Sequence, residues 1–212
     1  IGVVTERGVV EITTFRTDGL YRDGRHPEGV SFVADVEADL ARRDFTVNAM
    51  AYSPSRGLID PYGGEADLRA GILRAVGDPA VRFCEDALRI LRAMRFSVRF
   101  GLTVEPETAR AMLEKRGMLS QLSQERVYAE LCGFLPFADD AAVLRFAPLL
   151  CAVLPELLPE IGFDQKNPHH AYDLFTHTAK VVAAVPPELS LRWAALLHDV
   201  GKPAEFYLDE AG

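Results

Sequence analysis

The apolar positions alternate every second residue at the start of the chain and fall at helical spacing over its second half. Val3-Val4-Thr5, a turn at Glu6-Arg7-Gly8 and the run Val9-Val10-Glu11-Ile12-Thr13-Thr14-Phe15 are β-branched and alternating, which predicts a hairpin over residues 1 to 16. Residues 17 to 30 are rich in glycine and charge and read as a mobile loop. A short strand from Val30 to Val33 and a helix from Val36 through Arg42 follow. Leu58-Ile59-Asp60-Pro61-Tyr62-Gly63-Gly64 is a turn by composition, Asp67-Leu68 opens a short helical segment, and Gly77-Asp78-Pro79 is the clearest break.

Beyond that break, one helix is expected from Arg82 to Phe96, with Phe83, Ala87, Leu88, Leu91 and Met94 as its apolar positions. Asp86, Arg89, Arg92 and Arg95 recur every third residue of it. Each step of three falls about 60° short of a full turn, so these groups form a slowly drifting stripe. Such a stripe suits a base edge and a triphosphate, or an ordinary solvated face. From Glu107 onward the pattern is entirely helical: Pro106 sits in a first turn, and Ser123 is a candidate N-cap for Gln124 to Leu131. A helix from about Asp173 to Ala184 carries His177, and another from Leu191 to Leu197 ends in His198-Asp199-Val200-Gly201-Lys202.

Composition narrows the class. The chain has 212 residues, 49% hydrophobic and 25% charged, as in a globular protein with room for one large or two small domains. No apolar run approaches the roughly 18 to 20 residues of a membrane span, and no secretory leader pattern opens the chain. Cys84, Cys132 and Cys151 are isolated, which fits a reducing cytoplasm better than a disulfide framework. The net charge of −8 does not advertise a nucleic-acid binder, but arginines dominate between Arg82 and Arg99 and offer a local basic surface. The start at Ile1, in what reads as a strand already under way, and the stop at Gly212 are expected to be cuts through a longer protein.

Three groups of side chains carry candidate chemistry. Glu11, between Val10 and Ile12, is either a solvated strand residue or a carboxylate fixed on a rigid element for a metal ion. Arg42-Arg43-Asp44 beside an apolar run is either a structural ion pair or a set of guanidinium groups for phosphates and ribose hydroxyls. His177 with His198 and Asp199 combines imidazole and carboxylate, which together suit a divalent metal.

Four ordered motifs then add up to a resemblance: Arg42-Arg43-Asp44-Phe45-Thr46-x-Asn48-Ala49, Asp60-Pro61-x-Gly63-Gly64-x-x-Asp67-Leu68, Glu85-Asp86-x-x-Arg89-x-x-Arg92 and Ser123-x-Glu125-Arg126-x-x-x-Glu130-Leu131. The chain resembles the class II tRNA nucleotidyltransferases, the bacterial CCA-adding enzymes and their poly(A) polymerase relatives. His177…His198-Asp199 resembles the HD-type metal-dependent phosphohydrolase domain that some members carry. The resemblance implies an α+β chain: a mixed, N-terminally truncated head over residues 1–78, a helical neck and body over 79–160, and the start of an HD-type domain over 161–212. It implies template-independent addition of C, C and A to tRNA 3′ ends from CTP and ATP in the cytoplasm. By matching positions, Arg43 contacts the sugar or phosphates of the incoming nucleotide, Asp86 and Arg89 read the base, and Arg92 and Arg95 hold phosphates. Glu11 matches a carboxylate that binds Mg²⁺, and the HD-type residues imply a second divalent metal.

The departures are expectations of equal weight. The family's Gly-Gly-x-x-Arg-Asp segment and Asp-x-Asp pair belong upstream of Ile1, and Asp209 lies too close to His198-Asp199 to serve as the last HD-type ligand. The 212-residue chain is therefore expected to lack transferase activity that its parent has. An A-adding enzyme or a poly(A) polymerase fits the same motifs, and an HD-type phosphohydrolase is the reading from another class.

Overall fold

The computed structural model describes residues 1–6, 8–19, 29–164 and 172–205, and has the expected α+β class, with all eight described strands in the first half of the chain and only helices after Val104. Strands β1 (Gly2–Thr5) and β2 (Gly8–Glu11) pair antiparallel with Val3 opposite Val10. The second strand stops at Glu11, short of the expected Phe15; Gly2 faces Glu11, and Ile1 and Ile12 exchange reciprocal backbone hydrogen bonds beyond that pair. Both faces of this hairpin are open, with Val4 82% exposed on one and Val10 52% on the other. β3 (Arg16–Asp18) pairs with β4 (Val30–Phe32), and most of the loop expected between them lies outside the described residues. Helix α1 (Val36–Ala41) begins where the Asp35 carboxylate accepts the Glu37 N–H. β5 (Ala51–Ser53) and β6 (Gly57–Ile59) form a second hairpin, followed by α2 (Gly64–Ala70) and β7 (Ile72–Leu73).

The turn motif from Asp60 proves to be a clamp. Asp60 accepts the N–H groups of Gly64 and Glu65 and so caps α2. A Cβ on Gly64 would lie 2.1 Å from the Thr46 carbonyl oxygen, so only glycine allows α2 to close on that segment. The Thr46 hydroxyl donates to Asp67 at 2.8 Å, and Arg74 bonds the same carboxylate. These contacts fix the 3₁₀ turn Thr46–Asn48, and with it the Arg42–Asp44 segment just before it.

The expected single helix from Arg82 to Phe96 is two helices. α3 (Pro79–Glu85) has Asp78 as its cap and Pro79 in its first turn, and it ends at Asp86, whose backbone is extended at φ −150° and ψ 106°. α4 (Leu88–Arg99) starts where the Asp86 carboxylate accepts the Leu88 N–H. An aspartate that can bond the next turn's N–H competes with helix continuation, and here it wins. α4 buries Ile90, Leu91, Ala93 and Met94, and β8 (Thr103–Val104) after it pairs parallel to β7.

The remainder is helical: α5 (Pro106–Glu114), α6 (Gln124–Phe134), α7 (Asp140–Arg145), α8 (Ala147–Val153), α9 (Leu174–Ala184), α10 (Leu189–Leu197) and α11 (Lys202–Glu205), with 3₁₀ turns between. Ser123 occupies the N-cap position of α6, but its hydroxyl makes no capping bond. One continuous core runs from Phe45 and Phe83 through α4, α5 and α6 to Leu196, and a smaller one joins Val36, Leu40, Ala49 and Val76. No helix among the described residues is long and apolar enough to cross a membrane.

Candidate functional site

Where the break between α3 and α4 meets the end of α1 and the start of α6, a cleft of about 640 Å³ opens. Its walls carry Arg42, Arg43, Asp44, Asn48, Asp86, Arg89, Arg92, Phe96 and Arg126. Five guanidinium groups against two carboxylates make it a basic pocket in an acidic chain.

Asp39 organises one wall. This buried aspartate accepts the Arg16 N–H and Arg42 Nη2, at 3.2 and 2.6 Å, and Arg43 Nη2 at 3.2 Å. Burial alone would push its carboxyl up, but the bonds from Arg42, Arg16 and Arg43 outweigh that and hold it below the usual carboxylate range. Arg43 also donates to the Asn48 carbonyl at 3.1 Å, which aims its guanidinium along the wall. Asp44 accepts the Phe45 N–H and the Asn48 amide on one oxygen and Arg92 Nε at 2.7 Å on the other. The plain reading of Arg42-Arg43-Asp44 as ion-paired is thus correct, and its guanidinium groups line the cleft all the same.

Asp86 and Arg89 both line the opposite wall. Arg126, arriving from α6, donates Nη2 to both Asp86 oxygens at 3.0 and 2.8 Å. A carboxylate has about four acceptor sites; Leu88 and Arg126 occupy three, which leaves one free. Arg89 uses Nη1 on Glu85 at 2.6 Å and on the Arg82 carbonyl at 3.1 Å, and Nη2 on the Arg42 carbonyl at 2.9 Å. Two of its five N–H donors, Nε and one on Nη2, remain. One fixed acceptor beside fixed donors is a hydrogen-bonding edge.

The site residues expected from sequence divide three ways. Arg43, Asp86, Arg89 and Arg92 meet in the cleft. Arg95 does not: the drift of about 60° per step carries it about 120° round from Arg89, where it bonds Glu130 at 2.6 Å and lies over Gly133. Glu11 stands exposed at the end of β2 and belongs to no cluster of three metal-type ligands among the described residues. Arg42, a candidate phosphate or ribose ligand from sequence, does line the cleft, whereas Arg126, Asn48 and Asp39 carry no role assigned from sequence. For Arg126 the signal was present, inside the Ser123-x-Glu125-Arg126 motif, but its pairing with Asp86 spans 40 positions.

A second cluster lies at the other end. His177 on α9 and His198-Asp199 after α10 bring one ligand atom each within 4.8 Å of one another. His198 Nδ1 donates to the Ala195 carbonyl at 2.8 Å, and Nε2 lies 3.1 Å from Asp199 Oδ2. Two imidazoles and a carboxylate whose ligand atoms lie this close are a donor set that suits a divalent metal. Lys202 Nζ lies 2.7 Å from the same oxygen. His169, His170 and Asp209 lie outside the described residues.

Residues 1–74 match the family described as Poly A polymerase head domain. The chain is similar to the CCA-adding enzyme of Anoxybacillus flavithermus (strain DSM 21510 / WK1), with 44% identity over 158 residues that cover 73% of this chain and 40% of that protein. Among solved structures it is similar to the Bacillus stearothermophilus CCA-adding enzyme in complex with CTP: 33% identity, a TM-score of 0.72, 94% of this chain and 46% of that one. The Thermotoga maritima CCA-adding enzyme complexed with tRNA matches at 26% identity and a TM-score of 0.53, over 82% of this chain and 45% of that one. The chain spans less than half the length of each of these three proteins.

Proposed function

We propose that this chain, which belongs to the family of CCA-adding enzymes and poly A polymerases, forms the nucleotide-selecting part of a cytoplasmic tRNA nucleotidyltransferase that adds C, C and A to tRNA 3′ ends. The observation that carries the reading is the Asp86 carboxylate, immobilised by Arg126 and lining the same arginine-rich cleft as Arg89. Its free acceptor site suits the exocyclic amine of C or A, and the spare donors of Arg89 suit ring N3 of C or N1 of A. U and G present a carbonyl and a ring N–H at those places, acceptor against acceptor and donor against donor. Arg43 and Arg92 stand where they can hold sugar or phosphates, and Arg95 would join them only by leaving Glu130. The complex of the similar Bacillus stearothermophilus protein with CTP and that of the Thermotoga maritima protein with tRNA agree with CTP and tRNA as partners.

Within this reading, residues 1–78 belong to the head, 79–160 to the neck and body, and 161–212 to an HD-type domain. Glu11 would give one carboxylate to a Mg²⁺ site, where the ion supplies charge neutralisation at the triphosphate. One carboxylate does not make such a site, and Glu11 belongs to no group of three such donors among the described residues.

Titration calorimetry of the chain with CTP, ATP, UTP and GTP tests the selection: binding of CTP and ATP well above UTP and GTP is expected, and Arg89→Ala should erase the difference. Equal binding of all four would overturn the reading. In the longer parent protein, incorporation of AMP alone would assign an A-adding enzyme or poly(A) polymerase instead.

The His177/His198/Asp199 cluster favours a second activity, HD-type metal-dependent phosphohydrolysis. These three side chains would hold the ion, whose role is to activate water and polarise a phosphoryl group. Stoichiometric Mn²⁺ binding that His177→Ala abolishes is expected; metal uptake unchanged by that substitution would refute it.

A further inference from the structure

The four arginines of α4 are not treated alike. Arg89, Arg92 and Arg95 each face a carboxylate, on Glu85, Asp44 and Glu130. Arg99, the last residue of the helix, is exposed and has no carboxylate or hydrogen-bond partner among the described residues. Its guanidinium lies 5.6 Å from the centre of the Phe100 ring and 5.3 Å from that of Phe137. Both rings are open to solvent, 59% and 50% exposed.

This is the outer end of a ladder. Phe100 and Phe96 have ring centres 5.6 Å apart, and Phe96 carries the guanidinium groups of Arg92 and Arg95 at 5.0 and 4.3 Å. Phe96 in turn lines the nucleotide cleft. Aromatic planes and cations therefore alternate from the cleft to the surface at the end of α4. A second cleft of about 620 Å³ opens beside Phe100, and Asn48 lines it as well as the first, so the two adjoin across a single residue.

We propose that Arg99, Phe100 and Phe137, with this second cleft, bind the unpaired nucleotides at the 3′ end of the RNA whose terminus is extended in the first. The inference rests on the transferase reading above and adds a subsite to it. Single-stranded nucleic acid is held by positive charge along its backbone and aromatic faces under its bases, and stacking of this kind tolerates any base. An arginine already ion-paired must give up its carboxylate to meet a phosphate; Arg99, held only against two rings, has no carboxylate to give up among the described residues. An apolar protein partner would fit two exposed rings but not a cation held between them without a counter-charge. A growing RNA end also changes sequence with each addition, which suits a platform that does not read bases.

The test uses the 212-residue chain with two probes: CTP by calorimetry, and a fluorescein-labelled seven-nucleotide single-stranded RNA ending in CC by anisotropy. Replacing both rings (Phe100→Ala with Phe137→Ala) should weaken RNA binding at least about tenfold, the loss of one or two base stacks, while CTP affinity stays within about twofold. Arg99→Gln should lower the slope of log affinity against log salt by about 0.7, the value for one phosphate contact on a single strand. Phe100→Tyr with Phe137→Tyr should retain RNA binding, which separates lost stacking from lost folding. The proposal falls if the alanine pair binds RNA as the unaltered chain does, or if the tyrosine pair loses binding as far as the alanine pair. CTP binding with no effect of ring removal brings down this subsite alone. Failure of the unaltered chain to bind either probe brings down the transferase reading with it.

Discussion

Arg126 Nη2 donates to both carboxylate oxygens of Asp86, at 3.0 and 2.8 Å, across 40 positions of sequence. The aspartate stands in a helix break and the arginine on another helix, so the pair ties α6 to the joint between α3 and α4. A carboxylate in a break would otherwise turn about its side-chain torsions; this contact fixes the direction of its remaining acceptor site.

Arg126→Ala is therefore expected to loosen base choice more than nucleotide affinity. With Asp86 free to rotate, the amine contact loses its fixed geometry, and discrimination against UTP should fall by roughly tenfold or more, the weight of one hydrogen-bonded base contact of about 1–3 kcal/mol. The ratio of CTP to UTP dissociation constants measures it. A ratio equal to that of the unaltered chain would mean that Asp86 is oriented by Leu88 alone.

Asp39→Asn should release Arg42 and Arg43 together and cost about 1.5–3 kcal/mol at neutral pH, the range for hydrogen bonds to a charged group. The folded pKa of Asp39 lies below the usual 3.8, so its stabilisation is present above that value and is lost as pH falls through the folded pKa. Urea midpoints of the unaltered chain and its D39N variant should differ clearly at pH 7 and draw together as pH falls below 3.8. A difference independent of pH would assign the loss to packing.

What the sequence made legible, and what it did not, follows from the range of the interactions. The break at Gly77-Asp78-Pro79, the proline start of α5 and the helix after Asp173 are written in residues next to the elements they bound, and each stands where expected. The apolar positions Phe83, Leu91 and Met94 are buried as their spacing implies. The break at Asp86 was hidden because Asp86 also fits an unbroken helical stripe, and its choice of the Leu88 N–H is a competition that spacing does not express. Arg95 fits the same stripe, yet Gly133 on α6 provides the space that draws it to Glu130. Ser123 marks the start of α6 without making the capping bond that composition suggests. The cleft itself is a product of tertiary packing: Arg126 and Arg42 reach it from elements far apart in the chain.

Gly64→Ala should unfold the clamp beneath the cleft. The new Cβ would meet the Thr46 carbonyl oxygen at 2.1 Å and its carbon at 2.7 Å, both backbone atoms that cannot turn aside. The expected cost is at least about 3 kcal/mol, the upper end for an overpacked site. Calorimetric or urea unfolding reads it, and Gly117→Ala, where no atom lies within 4 Å of the new Cβ, is the control that should leave stability nearly unchanged.

Glu160 carries the opposite pH signature to Asp39. It is fully buried; Oε2 accepts the Thr178 hydroxyl at 2.8 Å, and Oε1 has no partner among the described residues. Burial raises its pKa above the usual 4.5, with the charge of Asp199 adding to the rise and the Thr178 bond, His198 and Lys202 opposing it. Below pH 4.5 both folded and unfolded chains hold the proton. As pH climbs from 4.5 toward the folded pKa, the unfolded chain releases it first and stability falls. Glu160→Gln keeps the shape of the protonated acid and cannot ionise, so it should match the unaltered chain near pH 4 and exceed it in stability at pH 7 to 8. Urea midpoints across that range supply the measurement. A variant less stable at every pH would show instead that the ionised carboxylate is held by the neighbouring cations His198 and Lys202 and belongs to the charge balance of the histidine cluster.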